Sequence, residues 1–123
     1  TYLAHGIRVA ANSDMTSAHY NPFFGMHSAV TRKTSQGRVM GKEERVTDRA
    51  QVLRLFTING AWLTGEEDRK GSIEPGKLAD LAVLSRDLFT IPEDQIRELR
   101  VAMTVIGGKI VHVDQQEMPN AVS

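Results

Sequence analysis

Apolar residues follow two different spacings, which divide the chain into a helical first half and a strand-rich second half. They recur at helical spacing over residues 22–34 and, more clearly, over residues 48–64. After residue 69 they form short runs bounded by glycine and proline, a pattern typical of strands. The change of spacing predicts a boundary near residues 64–69.

Capping residues support both predicted helices. Asn21-Pro22 is a favoured helix start, and Thr47 is the N-cap candidate for the second helix. Gly65 stands where a left-handed cap would end that helix, and Gly60 suggests close packing against another element. We therefore predict two helices over these ranges, joined by a polar loop over residues 35–44.

The second half predicts a turn, a hairpin and one short helix. After an extended piece opened by Gly71, Pro75-Gly76 fits a type II turn and leads into an apolar run over residues 79–84, which predicts a buried strand. Gly107-Gly108 is typical of a type I′ hairpin between strands over 100–106 and 109–113. Pro92 is expected to begin a short helix through residue 99, and residues 114–123 to fray.

A short apolar segment near the start of the chain ends in polar residues. Residues 7–11 predict a buried strand, and Asn12-Ser13-Asp14 follows it. The Asp14 carboxylate could ligate a metal, accept a proton from water as general base, or return it to a leaving nitrogen. Alternatively, Asp14 is a turn or cap residue, since aspartate is common at strand ends.

Composition excludes several classes of protein. Fifteen basic residues balance fifteen acidic ones, so no charge field would attract nucleic acid. Cysteine is absent, which excludes disulfides and thiolate metal sites. Because no apolar run approaches the roughly 20 residues that span a bilayer, we expect a soluble, cytoplasmic protein without membrane partners.

The chain resembles a known family in several segments. Gly71-Ser-Ile-x-x-Gly-Lys-x-Ala-Asp-Leu-x-Val-Leu84 resembles the closing segment of the amidohydrolase superfamily, in which a (β/α)8 barrel carries metal-dependent hydrolysis and both chain ends build a small β-sandwich. Gly6-Ile-Arg-Val-Ala-Ala-Asn-Ser-Asp14 is similar to the last barrel strand of the amidohydrolase 3 branch, which includes N-substituted formamide deformylases. Further matching segments extend the resemblance over almost all of residues 6–113.

The resemblance implies an α/β fold in three parts. Residues 1–66 would be the end of the barrel, with its last strand, the Asp14 loop and two helices. Residues 67–113 would be the C-terminal share of a composite β-sandwich, and residues 114–123 a tail. A closed barrel usually takes roughly 250 residues. Since the chain has 123 residues and begins with Thr1, we expect it to be the C-terminal portion of a larger protein.

The resemblance also assigns chemistry. Asp14 would be the family's catalytic aspartate and one ligand of a divalent metal, commonly zinc. The family's His-x-His pair is absent from the sequence, and a catalytic zinc needs about three protein ligands, so most ligands would come from elsewhere. Asp80 would cap backbone groups within the sandwich. We expect the 123-residue chain alone to be inactive.

The remaining polar candidates carry weaker hypotheses. His19, in the loop after Asp14, could contact substrate, although a solvated loop histidine is the more common case. The other three histidines, His5, His27 and His112, are interpreted as structural. Asn12 and Ser13 are expected to shape the turn rather than to act as a nucleophile and its helper.

Two functions remain open at this stage. The first is hydrolysis of a C–N bond in a small amide, cyclic amide or formamide by the intact parent. The second is a non-catalytic β-rich module for assembly. Without the barrel, the faces of both helices and of residues 7–11 would expose apolar surface. We therefore expect a homo-oligomer, or pairing with the missing N-terminal portion. The isolated chain should be oligomeric or partly disordered before about residue 48.

Overall fold

A computed structural model describes residues 2–15 and 20–120 of the chain. Within these ranges three α-helices come first: α1 (Pro22–Thr31), α2 (Arg49–Leu55) and α3 (Ile58–Leu63). Three strands follow: β1 (Leu81–Leu84), β2 (Val101–Ile106) and β3 (Lys109–Val113). Short 3₁₀ helices span Leu3–His5, Lys42–Glu44 and Glu93–Glu98. Among the described helices, none combines the length and apolar character needed to cross a membrane.

The three strands form one antiparallel sheet in the order β1-β2-β3. Gly107 and Gly108 join β2 to β3 with φ values of 57° and 79°, which confirms the predicted hairpin turn. A register shift interrupts each strand pair, between Val83 and Leu84 and between Thr104 and Val105. These irregularities bend a small sheet whose two edge strands both lie within the second half of the chain.

Helix α1 begins as predicted and ends earlier than expected. The side chain of Asn21 accepts a hydrogen bond from the Phe23 N–H at 2.9 Å, and Pro22 occupies the first turn. The helix was expected to reach residue 34, but it ends at Thr31 because Arg32 adopts a left-handed conformation with φ 56°. The Arg32 N–H still donates to the Ser28 carbonyl, so the terminus is capped by backbone.

The predicted helix over residues 48–64 is wrong as one continuous element. It divides into α2 and α3 at Phe56 and Thr57, and the side chain of Thr57 donates to the Leu53 carbonyl at 2.8 Å. Asp48, rather than Thr47, is the N-cap residue, since its carboxylate accepts from the N–H groups of the first turn. Gly65 has φ 69°, as the predicted cap requires.

Close backbone packing involves Gly71 and not Gly60. A Cβ atom on Gly60 would meet nothing within 4 Å, so the packing role predicted for it is wrong. A Cβ on Gly71 would lie 2.8 Å from the Ile58 Cα and 2.9 Å from the Ala61 Cβ. Gly71 therefore lets the chain pass directly against α3, just before the strand-rich half begins.

The Pro75-Gly76 turn is confirmed, but the elements on either side of it are shorter than predicted. The Lys77 N–H donates to the Glu74 carbonyl at 3.2 Å, and Gly76 has φ 90°. The extended piece after Gly71 pairs with no described strand, and the predicted strand over residues 79–84 is reduced to β1. Strand β1 is not buried: its central residues are exposed, because no second sheet layer covers it within the described ranges.

The predicted capping role of Asp80 is confirmed. Its Oδ1 accepts a hydrogen bond from the Gly107 N–H at 2.7 Å, and the adjacent Gly108 N–H donates to the Ala79 carbonyl at 3.0 Å. Asp80 thereby ties the start of β1 to the hairpin turn.

The residues after β3 are held at the other end of β2. The Asp114 N–H donates a hydrogen bond to the Ala102 carbonyl, and the Met118 N–H donates to the Asp114 carbonyl and closes a turn. Residues 114–118 of the predicted tail therefore form a hydrogen-bonded turn.

The hydrophobic core joins the helical half to the connection between β1 and β2. The 3₁₀ helix predicted after Pro92 packs against α1 and supplies the fully buried Ile96. The buried core cluster comprises Phe23, Met26, Val30, Val52, Leu88, Ile91, Ile96 and Leu99. The guanidinium of Arg49 donates to the carbonyls of Leu88 and Ile91 at the border of this cluster. The division near residues 64–69 stays a prediction, but the core itself draws on both sides of it.

Candidate functional site

The segment that carries Asp14 is extended without being part of a sheet. Residues 7–11 were predicted to form a buried strand, and this is wrong for the described chain, where no strand pairs with them. Two hydrogen bonds hold the segment on the helices instead. The Ala11 N–H donates to the Leu55 carbonyl at 2.9 Å, and the Asn59 amide donates to the Val9 carbonyl at 2.7 Å. A strand needs lateral backbone partners, which local sequence cannot supply.

Asp14 lies at the tip of a turn that immediately follows this segment. Its backbone N–H donates to the Asn12 side chain at 2.8 Å, which is an Asx turn and bears out the turn role predicted for Asn12. Asp14 itself has φ 46°, a left-handed conformation that aspartate tolerates better than most residues. The result is an exposed carboxylate on a tightly folded backbone.

The break between α2 and α3 explains how the segment is held. In a continuous helix, the Leu55 carbonyl would accept from the N–H four residues later, which belongs to Asn59. Because the helix is interrupted at Thr57, that carbonyl accepts from Ala11 instead. Asn59 is 8% exposed, and its side chain donates to Val9 across the junction.

A cleft of about 1040 Å³ opens beside the Asp14 turn. Asn12 and Ser13, which belong to the turn, line the cleft together with Tyr20. Two further aromatic residues, Phe24 and Phe56, also line it. The other lining residues are Asn21, Pro22, Gly25, His27, Ser28, Lys33, Thr34, Ser35 and Arg97. The cleft thus combines aromatic walls with hydroxyl, amide and cationic groups.

His27 lies at the buried side of this cleft and has an unusual environment. It is 5% exposed, and its Nε2 atom makes no hydrogen bond within residues 2–15 and 20–120. Asp94 Oδ1 lies 3.7 Å from Nε2, too far for a hydrogen bond, and bonds Lys33 instead. Burial lowers the pKa of His27, the positive charge of Arg97 lowers it further, and Asp94 opposes both. The structural role predicted for His27 fits its position in the core of the α1 interface.

The other histidines do not gather around Asp14 in the described chain. His5 is exposed in the 3₁₀ helix Leu3–His5, and His112 is exposed in β3. His19, the predicted substrate contact, lies outside the described residues. Asn59, by contrast, was missed as an individual residue. No local pattern singled it out, because its partner, Val9, lies 50 positions away in the sequence.

The described residues do not form a complete metal site. Within residues 2–15 and 20–120, no three side chains of His, Asp or Glu converge as a ligand set. A catalytic zinc ion usually has three protein ligands and one open position. The exposed Asp14 carboxylate is suited to be one ligand, and the others would have to come from outside these ranges.

Comparison with known proteins assigns the family. The sequence profile described as the amidohydrolase family matches residues 1–112. The chain belongs to the amidohydrolase family. An N-substituted formamide deformylase of Arthrobacter pascens is 40% identical over 103 residues, which are 84% of this chain and 19% of that enzyme. This chain therefore spans about a fifth of the length of that amidohydrolase relative.

Two solved structures share this fold. An amidohydrolase from Thermotoga maritima is 26% identical with a TM-score of 0.62, and the match covers 91% of this chain and 24% of that one. An adenosine deaminase from Xanthomonas campestris, solved with bound zinc, has a TM-score of 0.67 at 24% identity. This match covers 98% of the present chain and 29% of the deaminase chain. The described helices and small antiparallel sheet therefore correspond to part of each of these two larger structures.

Proposed function

We propose that this chain is the closing portion of a metal-dependent amidohydrolase that hydrolyses C–N bonds of small molecules. Its first part would complete a (β/α)8 barrel, and its strands would form a share of a composite β-sandwich. The observation that carries the proposal is the exposed carboxylate of Asp14, held on an Asx turn at the end of an extended segment in an amidohydrolase chain. The substrate class is a small amide, cyclic amide or formamide, in line with the formamide deformylase relative.

Asp14 is proposed to move the proton of the reaction. Its carboxylate takes a proton from the attacking water, which forms the new C–O bond, and then delivers that proton to the nitrogen as the C–N bond breaks. A divalent ion, when bound, polarises the scissile carbonyl and makes the attacking water more acidic. Asp14 is the one ligand that this chain is proposed to contribute, so residues 1–123 alone should be inactive.

Replacing Asp14 in the intact parent tests this role. Asp14→Asn keeps the size of the side chain and an oxygen ligand but cannot accept the proton. We expect kcat to fall about 10² to 10⁴-fold, the range of general acid–base catalysis. Asp80→Asn is the matched control, because Asp80 is an exposed carboxylate bonded to the β2–β3 turn, and it should leave kcat unchanged.

Metal analysis of the same proteins separates two ways of losing activity. If Asp14→Asn retains the metal of the parent and still loses kcat, proton transfer is the missing step. If activity and metal are lost together, Asp14 acts mainly as a ligand. Normal kcat in Asp14→Asn would contradict the proposed role of Asp14. A parent that hydrolyses no amide, cyclic amide or formamide would contradict the proposed function and favour a non-catalytic assembly module.

A further inference from the structure

The junction of α2 and α3 makes two hydrogen bonds to one edge of the Asp14 segment. Leu55 supplies an acceptor to the Ala11 N–H, and Asn59 supplies a donor to the Val9 carbonyl, at 2.9 and 2.7 Å. In an extended chain, backbone groups two residues apart point to the same side. The junction therefore offers this edge one acceptor and one donor, as a neighbouring strand would.

These two hydrogen bonds, from Ala11 to Leu55 and from Asn59 to Val9, form a two-point clamp. Each of them has a specific cause in the sequence. The acceptor is available because the helix breaks at Thr57, which frees the Leu55 carbonyl from its helical partner. The donor is the side-chain amide of Asn59, which reaches the Val9 carbonyl from the first turn of α3. A buried asparagine is costly unless it is hydrogen-bonded, and Val9 satisfies the Asn59 amide.

The clamp ends where the Asp14 turn begins. Ala11 is clamped, and the next residue, Asn12, accepts the hydrogen bond from the Asp14 N–H that folds the turn. Arg8, which precedes the clamped pair, stacks over the ring of Trp62 in α3 at 4.9 Å from its centroid. The segment leading to Asp14 thus contacts α2 and α3 through the Arg8 side chain and the backbone of Val9 and Ala11.

We propose that Asn59 is a positioning residue for Asp14, an inference that rests on the proposed catalytic role of that carboxylate. Asn59 bonds the backbone of Val9 and acts on Asp14 through the two-point clamp. Removing the amide donor frees the segment on one side, so the Asp14 turn samples several positions. Small misplacements of a catalytic group reduce the rate of the reaction step more than they reduce substrate binding.

Two variants in the intact parent test this inference. Asn59→Asp keeps the side-chain shape but places an acceptor against the Val9 carbonyl, and Asn59→Leu removes the donor without adding charge. We expect kcat to fall about 10 to 100-fold in both, with KM changed by less than about threefold. Thr64→Val is the matched control: it removes hydroxyl hydrogen bonds at the other end of α3 without touching the clamp, and kcat should stay at the parent value.

Amide hydrogen exchange at Ala11 supplies a readout independent of activity. Exchange of this amide should become at least about tenfold faster in Asn59→Asp and Asn59→Leu and stay unchanged in Thr64→Val. Unchanged Ala11 exchange, or faster exchange with unchanged kcat, would overturn the inference. Failure of the proposed function looks different, because Asp14→Asn would then retain activity while Ala11 exchange still responded to the Asn59 variants.

Discussion

At the scale of single residues, the chain uses a few polar side chains to hold backbone that has no regular partner. Asn12 folds the Asp14 turn, Asn59 holds the segment before it, and Asp80 fixes the hairpin turn. Each accepts from or donates to one backbone group at 2.7 to 2.8 Å. Asparagine and aspartate recur in this role because their short side chains reach nearby backbone without losing much conformational freedom.

The Asp80 contact predicts a measurable stability effect. Asp80→Ala leaves the Gly107 N–H without its acceptor, and we expect the free energy of unfolding to fall by about 1 kcal/mol. Asp80→Asn keeps an acceptor oxygen and should recover most of that loss. Urea denaturation of both variants measures the difference. Equal destabilisation by the two substitutions would mean that the hydrogen bond does not account for the effect.

His27 predicts a pH dependence whose sign follows from its environment. Because burial and Arg97 lower its pKa in the folded state below 6.5, the unfolded chain binds the proton more tightly. The stability that neutral His27 contributes is therefore present above about pH 6.5 and is lost as the pH falls through the lowered pKa. Carboxylates paired with lysine, such as Asp94 and Glu66, titrate below this window because their pKa values are also lowered.

Denaturation at a series of pH values checks this assignment. In the wild-type chain, the free energy of unfolding should decline on acidification from pH 7 to pH 5. His27→Gln removes the titrating group and should flatten that decline, whereas the same change at the exposed His112 should leave it in place. A decline that persists unchanged in His27→Gln would assign the pH dependence to other groups.

At the scale of elements, sequence signals located the start of α1, the end of α3 and two turns, because these depend on a few adjacent residues. Asn21-Pro22 starts α1, and Gly107-Gly108 closes the hairpin as predicted. The break at Thr57 was not predictable from apolar spacing, since Val52, Phe56 and Leu63 keep one helical spacing across it. The break coincides with a contact to the distant Ala11, whose N–H donates to the Leu55 carbonyl.

The close contact between Gly71 and α3 predicts that a side chain added at this position destabilises the fold. Gly71→Ala combines a positive φ of 92° with a Cβ placed 2.8 Å from the Ile58 Cα, and should cost about 2 to 4 kcal/mol of stability. Gly65→Ala is the matched control, because φ is also positive there but nothing lies within 4 Å of the new Cβ. It should cost only about 1 kcal/mol. Equal losses in thermal denaturation would show that packing at Gly71 is not limiting.

At the scale of the whole molecule, sequence spacing could not find the part of the core that joins the two halves. Leu88, Ile91, Ile96 and Leu99 lie in a stretch that is mostly turns and a 3₁₀ helix, so they follow neither period. Nor could the sequence show the candidate site as a whole. Asp14 was identified from a family resemblance, whereas its support by Asn59 depends on two segments 50 positions apart.

The hydrogen bonds of Arg49 allow the coupling between the helical half and the strand-rich half to be measured. Its planar guanidinium donates to the Leu88 and Ile91 carbonyls at 2.5 and 3.0 Å, which ties α2 to the β1–β2 connection. Arg49→Met would leave both carbonyls without this donor and should cost about 2 to 3 kcal/mol. Arg49→Lys should recover part of the loss, because an ammonium group lacks the fork that reaches both carbonyls together. Arg54→Met, an exposed change on the same helix, is the control.

The pattern of unfolding tests whether this contact joins the halves or only adds stability. Trp62 is the single tryptophan of the chain and reports on α3, whereas hydrogen exchange of β2 amides reports on the sheet. Because the core is shared, both probes should give one coincident transition in the wild-type chain. In Arg49→Met the two transitions should separate, with the helices and the β1–β2 connection losing their mutual protection. Coincident transitions in that variant would place the coupling in the apolar core and not in the Arg49 hydrogen bonds.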